Sequence, residues 1–306
     1  MKTINFMGQS TSGLAILFSA VLLLISIGSL ATRQLNWGLD FTGGTLVEIH
    51  YSATANLDSI RKALESHEYK GAIVTSFGTD QDVLIRLPLG YTDKQGTELL
   101  KVLQDAFTGK VEVRRMEFVG PQVGDELREQ GGLAMLLSLT LVMFYVAFRF
   151  QMKFGIGAVG ALVHDVIITL GFFSITGMEF DLNVLAAVLA IIGYSINDTI
   201  VVFDRIRENF RKLRRVEPAE VMNISITETL DRTLITSGVT LLTVIALALF
   251  GGDMLHGFAI AMIIGVTMGT YSSIYVASAA ALLMGATKED LVVPAKEGVA
   301  RDELTP

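Results

Sequence analysis

LNVLAAVLAIIGYSINDTIVVFDRIRENFRKLRR, residues 182–215, decides the fold. Leu182 to Phe203 is predominantly apolar and long enough to cross a bilayer, which takes about 20 residues. Asn197 and Asp198 interrupt the run. The stretch then turns basic, with Arg205, Arg207, Arg211, Lys212, Arg214 and Arg215. Lys and Arg concentrate on the cytoplasmic side of membrane proteins, so this end is expected to be cytoplasmic.

Five further segments read as spans: Leu14 to Ala31, about Leu133 to Phe148, about Phe154 to Gly177, about Thr233 to Phe250, and about Gly257 to Ala286. The last is long enough to tilt. Ser29-Leu30-Ala31 would pass as a signal-peptide cleavage site, but the apolar run before it exceeds the usual length of about 7–15 residues. The first segment is therefore read as a retained span. Arg149 and Lys153 then fall on the cytoplasmic side, as do both termini, while the opposite links MEFDLN (178–183) and GGDMLHG (251–257) hold no Lys or Arg. The expected organisation is a cytoplasmic N-terminus (1–13), a first span (14–32), a domain outside the cytoplasm (33–132), a five-helix membrane region (133–286) with a cytoplasmic loop (204–232), and a cytoplasmic tail (287–306).

Composition agrees. Of 306 residues, 51% are hydrophobic and only 18% charged, where a soluble domain carries about 25% charge. A net charge of −7 gives nucleic acid no electrostatic support. There is no Cys, which excludes disulfides, thiolate metal sites and thiol catalysis.

Residues 33–132 change period. LVEIHY (46–51) alternates like a strand, and Leu57 to His67 puts Ile60, Ala63 and Leu64 on one helical face. AIVTSF (72–77) and DVLIRL (82–87) read as strands joined by a Gly-Thr-Asp turn. A second helix follows Thr92, with Gln95 completing a capping-box pattern and Leu99, Leu103 and Phe107 on its apolar face. VEVRRMEF (111–118) is a last strand. The order β-α-β-β-α-β predicts a small ferredoxin-like α+β unit. It carries no metal spacing and no nucleophile beside a base, so it reads as a binding or lever domain. GDELREQGG (124–132) joins it to the second span and is expected to be helical, as a coupling element or an ordinary linker.

GIGAVG (155–160) matches the dinucleotide-binding pattern letter for letter, with Glu179 placed like a ribose-binding acid. It opens a membrane span instead of following a strand, a context in which glycines let helices pack closely. No Walker A sequence occurs, so ATP hydrolysis is not expected. Asn197-Asp198-Thr199 fits a glycosylation pattern but lies inside the membrane.

Ionisable residues within a span cost about 2.5–3.5 kcal/mol at the centre by insertion scales and commonly mark ion or proton paths. Counted along the helices, Asp165 lies roughly mid-membrane and Asp198 nearer the cytoplasm. Tyr194, Ser195, Asn197 and Thr199 make the surroundings of Asp198 polar enough to hold water. Arg232 enters the fifth span, where it can pair with Asp198 or snorkel to the interface. Pro218 to Leu230 ahead of it reads as an interfacial helix, and Asp204 as a capping or pairing residue at the surface. Two readings stand for Asp165, Asp198 and Arg232: a proton path, or static polar glue between helices. For His164 they are proton transfer or a structural hydrogen bond.

WGLDFTGGT (37–45), VGPQVGDELREQGG (119–132), ALVHDV (161–166), GYSINDTIVVFDRIREN (193–209) and TLDRTLITSGVT (229–240) together resemble the SecD/SecF family over essentially the whole chain. The short soluble domain fits the SecF branch. The resemblance implies six membrane helices equivalent to half of an RND-type transporter. It also implies a multi-pass place in the bacterial inner membrane with the soluble domain in the periplasm. The expected role is assistance of Sec-dependent protein translocation by the proton-motive force. Expected partners are SecD, the SecYEG channel with SecA, YajC, the translocating preprotein and membrane lipid. The proton gradient is the expected energy source, and neither a cofactor nor a catalytic enzyme activity is expected. In the family the fourth-span acid and the arginine before the fifth span are implicated in proton coupling. They correspond to Asp198 and Arg232, with Asp165 as a further candidate and His164, Asn197, Tyr194 and Asp204 as supporting polar residues. An RND-type exporter of small molecules or lipids, and a passive scaffold, are the competing readings.

Overall fold

The computed structural model describes residues 3–285 apart from 68, 78, 89–92, 108–109, 151 and 214. The chain runs α1 (Gln9–Thr32), β1 (Asn36–Trp37), α2 (Leu39–Thr42), β2 (Gly44–Tyr51), α3 (Leu57–Ser66), β3 (Ile73–Phe77), β4 (Thr79–Leu87), α4 (Asp93–Ala106), β5 (Val111–Val119), α5 (Pro121–Arg149), α6 (Met152–Thr176), β6 (Glu179–Phe180), α7 (Leu182–Lys212), α8 (Pro218–Phe250), α9 (Asp253–Ile274) and α10 (Val276–Leu283). The expected tail, 287–306, and the Thr92 cap and Gly78 turn residue lie outside the described residues.

Among the described residues six segments are long and apolar enough to cross a membrane, the sixth formed by α9 and α10 together. Helices satisfy their own backbone groups, which is what a bilayer demands of a spanning segment. α6 and α7 form the centre, more than half buried, whereas α1, α5 and α8 keep most of their apolar surface outward. Leu14, Leu24, Leu137, Phe144, Leu242 and Leu249 are exposed on those outer helices.

Two stretches differ from the sequence reading. Pro218–Leu230 is not a separate interfacial helix but the first turns of α8. Its apolar residues Val221, Met222 and Ile226 are buried inside the protein, and Asn223 accepts the backbone N–H groups of Phe6 and Met7 at 2.9 and 2.8 Å. The face that composition alone assigns to a membrane surface is buried inside the protein, and the N-terminal segment is tied to the neighbouring Asn223 and Thr227. The loop expected over 204–232 shrinks accordingly, because α7 continues to Lys212. GDELREQGG is helical, as its sequence leads one to expect, and lies inside α5, which starts at Pro121 and runs without a break to Arg149.

The soluble domain is an antiparallel sheet of order β3-β4-β2-β5. With helices after its first and third strands, this is the ferredoxin-like topology that the element order implies. Val47, Ile49, Tyr51, Val83, Ile85 and Leu87 alternate inward and pack against Ile60 and Leu64 of α3 and Leu99 and Leu103 of α4. Asn56 caps α3, accepting the N–H groups of Asp58 and Ser59. Burial pushes the Tyr51 hydroxyl up to about 12.

The domain is fastened to the membrane helices through WGLDFTGG. β1 pairs in parallel with β6, the link between α6 and α7 (Asn36 beside Glu179, Trp37 beside Phe180). Trp37, Phe41 and Phe180 form an aromatic cluster with centroids 5.4–5.9 Å apart. Arg128 of α5 lies 5.2 Å over the Trp37 ring and donates to the Phe41 carbonyl at 2.9 Å. Asp40 accepts the Leu182 N–H at 3.0 Å, and Asp181 caps α7 through the Val184 N–H at 2.8 Å. Arg86 of β4 donates to the Trp37 carbonyl at 2.9 Å and to the Thr42 hydroxyl, and approaches Glu179 at 3.5 Å. Two carbonyls, an aromatic ring and a carboxylate thus receive cations from both the sheet and α5.

Gly44 opens β2 at φ +124°, and a Cβ there would fall onto the Leu87 carbonyl oxygen of the neighbouring strand. Gly44→Ala is expected to cost about 1–3 kcal/mol from backbone strain alone, and more from the clash. Denaturation of the purified chain, with Gly13→Ala as the control because that site has open space, measures it. Burial raises the Glu179 carboxyl above its ordinary range, with Arg86 partly offsetting the shift. A raised folded-state pKa means that this stabilisation is full below the unfolded value and is lost as pH rises through the folded one. Protection of the β1–β6 amides against hydrogen exchange is therefore expected to weaken as pH rises through that window, and Glu179→Gln to flatten the response.

Candidate functional site

Two polar networks occupy the otherwise apolar bundle, and both start from a carboxylate. Asp165 sits at the middle of α6 with no exposed surface. Its Oδ2 accepts hydrogen bonds from Ser195 Oγ of α7 and Ser272 Oγ of α9, each at 2.7 Å. Its Oδ1 lies 2.9 Å from Nδ1 of His164. One carboxylate therefore joins three helices. The approach of α7 to α9 makes this possible: a Cβ on Gly269 would come to 3.0 Å from Ser195 Cβ. His164 is 3% exposed, stacks loosely against Tyr271 at 6.2 Å, and leaves its Nε2 without a hydrogen-bond partner.

Asp198 lies one turn along α7 from Ser195, is 4% exposed, and has no hydrogen-bond partner on Oδ2. Ser237 of α8 is its polar neighbour. Ser237 receives a hydrogen bond from Tyr194 Oη at 3.3 Å and shares another with Thr270 of α9 at 2.7 Å. Thr233, one turn before Ser237, also has a buried hydroxyl without a partner. A buried carboxylate oxygen and a buried hydroxyl, both unsatisfied, are expensive in an apolar medium. They mark a place where a water molecule or a proton would be stabilised.

Arg232 is exposed and forms no ion pair with Asp198 within 4.0 Å, although its charge is felt there. Of the two options open from sequence, direct pairing is not the one present. Asn197 is exposed and stands apart from the cluster, because one residue along a helix turns about 100° and Asp198 faces inward. Asp204 belongs to the far end, where it takes Arg149 at 3.0 Å and Arg207 at 2.8 Å. Tyr194 and Asp198 are brought together through Ser237; His164 and Asp165 touch directly. Ser195, Ser237, Thr270, Thr233 and Ser272 carry much of both networks. Their sequence signal is weak, since Ser and Thr in spans commonly bond their own helix carbonyls.

Within GIGAVG, Gly157 has a packing role. A Cβ on Gly157 would come to 2.9 Å from the Ala277 carbonyl of α10, so the pattern lets two helices approach. No group of three His, Cys, Asp or Glu able to hold a metal ion occurs among the described residues.

The arrangement has counterparts in known proteins. Residues 98–287 match the C-terminal model of the protein export membrane proteins SecD/SecF, and residues 28–55 match the SecD/SecF GG motif, which contains the strained Gly44 junction. A protein translocase subunit SecF from Vibrio alginolyticus is 53% identical, covering 99% of this chain and 97% of the relative. One from Pseudomonas aeruginosa is 50% identical, covering 98% and 97%. A crystal structure of SecDF from Thermus, described as a translocon-associated membrane protein, superposes with TM-score 0.84 at 39% identity. A SecDF structure in a super-membrane-facing form gives 0.68 at the same identity. This chain covers 92% and 93% of itself in these superpositions but only 38% and 39% of the longer SecDF chains. Near-complete coverage by SecF relatives, two matching family models and a shared fold establish that the chain is an integral membrane protein belonging to the SecF branch of the SecD/SecF family.

Proposed function

We propose that this chain is a proton-driven accessory subunit of protein export, and that Asp198 is the group that takes up and releases the proton. The observation that carries the reading is the unsatisfied, buried Oδ2 of Asp198 on α7, whose polar neighbour is Ser237 of α8. Both carboxylate oxygens of Asp165 have hydrogen-bond partners, whereas Asp198 is built with one oxygen open. Arg232 of α8 forms no ion pair with Asp198, which leaves the carboxyl free to gain and lose a proton.

The basic end of α7 belongs in the cytoplasm on this reading, and the ferredoxin-like domain in the periplasm of a bacterial inner membrane. SecD supplies the other half of the transporter, and the exposed apolar faces of α1, α5 and α8 offer surfaces to it and to lipid. SecYEG with SecA, YajC and the preprotein are the wider partners. One proton moving down 100 mV releases about 2.3 kcal/mol. That suffices to bias helix packing, so repeated cycles drive a large displacement. The chain has no nucleotide motif to supply energy otherwise. Relatives named as translocase subunits favour this reading over a small-molecule or lipid exporter.

Asp198→Asn is expected to abolish the gradient-dependent share of preprotein translocation in membrane vesicles and to leave the ATP-driven share intact. Unchanged gradient dependence, in a complex shown to be assembled, would overturn the proton role.

A further inference from the structure

One buried polar atom of the bundle is used by neither network. His164 gives its Nδ1 to Asp165 at 2.9 Å, and its Nε2 has no hydrogen-bond partner although the residue is buried. An unpaired polar atom in an apolar interior is costly, so a group that satisfies it would be held there.

The same ring helps to line a cavity of about 320 Å³ between α1, α6, α9 and α10. α1 contributes Ser19, α6 contributes Gly160 and His164, and Tyr271 and Tyr275 come from the last span. The rest of the wall is aliphatic, and no charged side chain lines it. Ile16 and Leu283 also line it and are exposed, so the cavity opens on the outer surface of the helices. In an integral membrane protein that surface meets lipid. Gly160 leaves room in the cavity, since a Cβ added there would meet nothing within 4 Å. Ser19 and Tyr271 satisfy each other: Tyr271 Oη donates to the Ala15 carbonyl at 2.7 Å, which leaves the Ser19 hydroxyl to donate to Tyr271 at 3.0 Å. Among the described residues, Nε2 of His164 is the one buried side-chain polar atom of the wall without a partner.

We propose that this cavity is a binding site for a neutral, membrane-dissolved molecule that is apolar along its length and carries one hydroxyl, which hydrogen-bonds Nε2 of His164. An uncharged wall gives an ion nothing to pair with, which selects a neutral ligand. The volume is near the lower end for small-molecule sites, about 300–1,000 Å³, which suits one slender chain. A hydroxyl both donates and accepts, so it pairs with Nε2 whichever ring nitrogen carries the hydrogen. A water molecule alone is a poor fit, because a buried water takes about two to four polar partners and this wall offers one open atom. The site stands apart from Asp198 and does not depend on the proton-driven reading. It does place an occupant directly against His164, the side chain that holds the outer oxygen of the Asp165 network.

The probe is a long-chain primary alcohol with a diazirine in its tail, compared with the matching alkane that lacks only the hydroxyl. Each is irradiated with the full chain in phospholipid vesicles, and the crosslinks are placed by peptide mass spectrometry. Labelling around Leu242 and Leu249, exposed on α8, is the internal reference. The alcohol is expected to exceed the alkane about fivefold on the cavity-lining peptides of α1, α6 and α10, a ratio that one net hydrogen bond supports. His164→Asn keeps an amide donor for Asp165 and removes Nε2, and is expected to abolish the excess. Gly160→Leu fills the cavity and is expected to abolish it as well. Both substitutions are read with the same alcohol, so any difference in the depth of the two probes cancels. Equal labelling by alcohol and alkane in the unsubstituted chain, or an excess that survives either substitution, overturns the proposal.

Discussion

A bilayer offers a buried carboxylate no water, so each charge inside this bundle must find its partners within the protein. The structure meets that demand differently at its two intramembrane acids. Asp165 is satisfied from three helices at once. Asp198 keeps an oxygen free. The first arrangement gives the packing of α6, α7 and α9 a definite register. The second leaves a place where protonation changes the local balance. Both depend on α7 lying close against α9, which small residues such as Gly269 permit.

The same economy governs the junction with the soluble domain. α5 runs from the end of the sheet into the membrane without a flexible link, and β1 hydrogen-bonds to the loop that starts α7. Asp40 and Asp181 hold the first N–H groups of α7, so the helix that carries Asp198 is gripped at the end facing the soluble domain. A displacement of α7 would thus be felt at the aromatic cluster of Trp37, Phe41 and Phe180. Domain and bundle are joined by short hydrogen bonds, ring contacts and a continuous helix, a rigid linkage of the kind that transmits motion.

Much of the architecture was legible from residue pattern. Hydrophobic length marked the spans, and period-two alternation in LVEIHY and DVLIRL marked central strands whose side chains do fill the domain core. Asp165 and Asp198 stood out because charge is rare in apolar runs. Ser195 and Thr199 stood out only as neighbours of Asp198, yet Ser195 bonds Asp165 and Thr199 its own helix, and Ser237, Thr270 and Ser272 carried no signal, since a hydroxyl in a span looks the same whether it bonds its own helix or another. Pro218–Leu230 misled for a related reason: an apolar face does not say whether lipid or protein covers it, and here Val221, Met222 and Ile226 are buried inside the protein.

By itself the sequence determined the membrane class, the number of spans, the βαββαβ order and which residues carry costly charge, because these depend on local composition and period. Tertiary structure alone decided that Ser195 and Ser272 meet on one Asp165 oxygen, that Asn197 turns away while Asp198 faces inward, and that Arg232 stands clear of Asp198. Each of these depends on the approach of helices distant in sequence, and a distance between helices is not encoded in the period of either one.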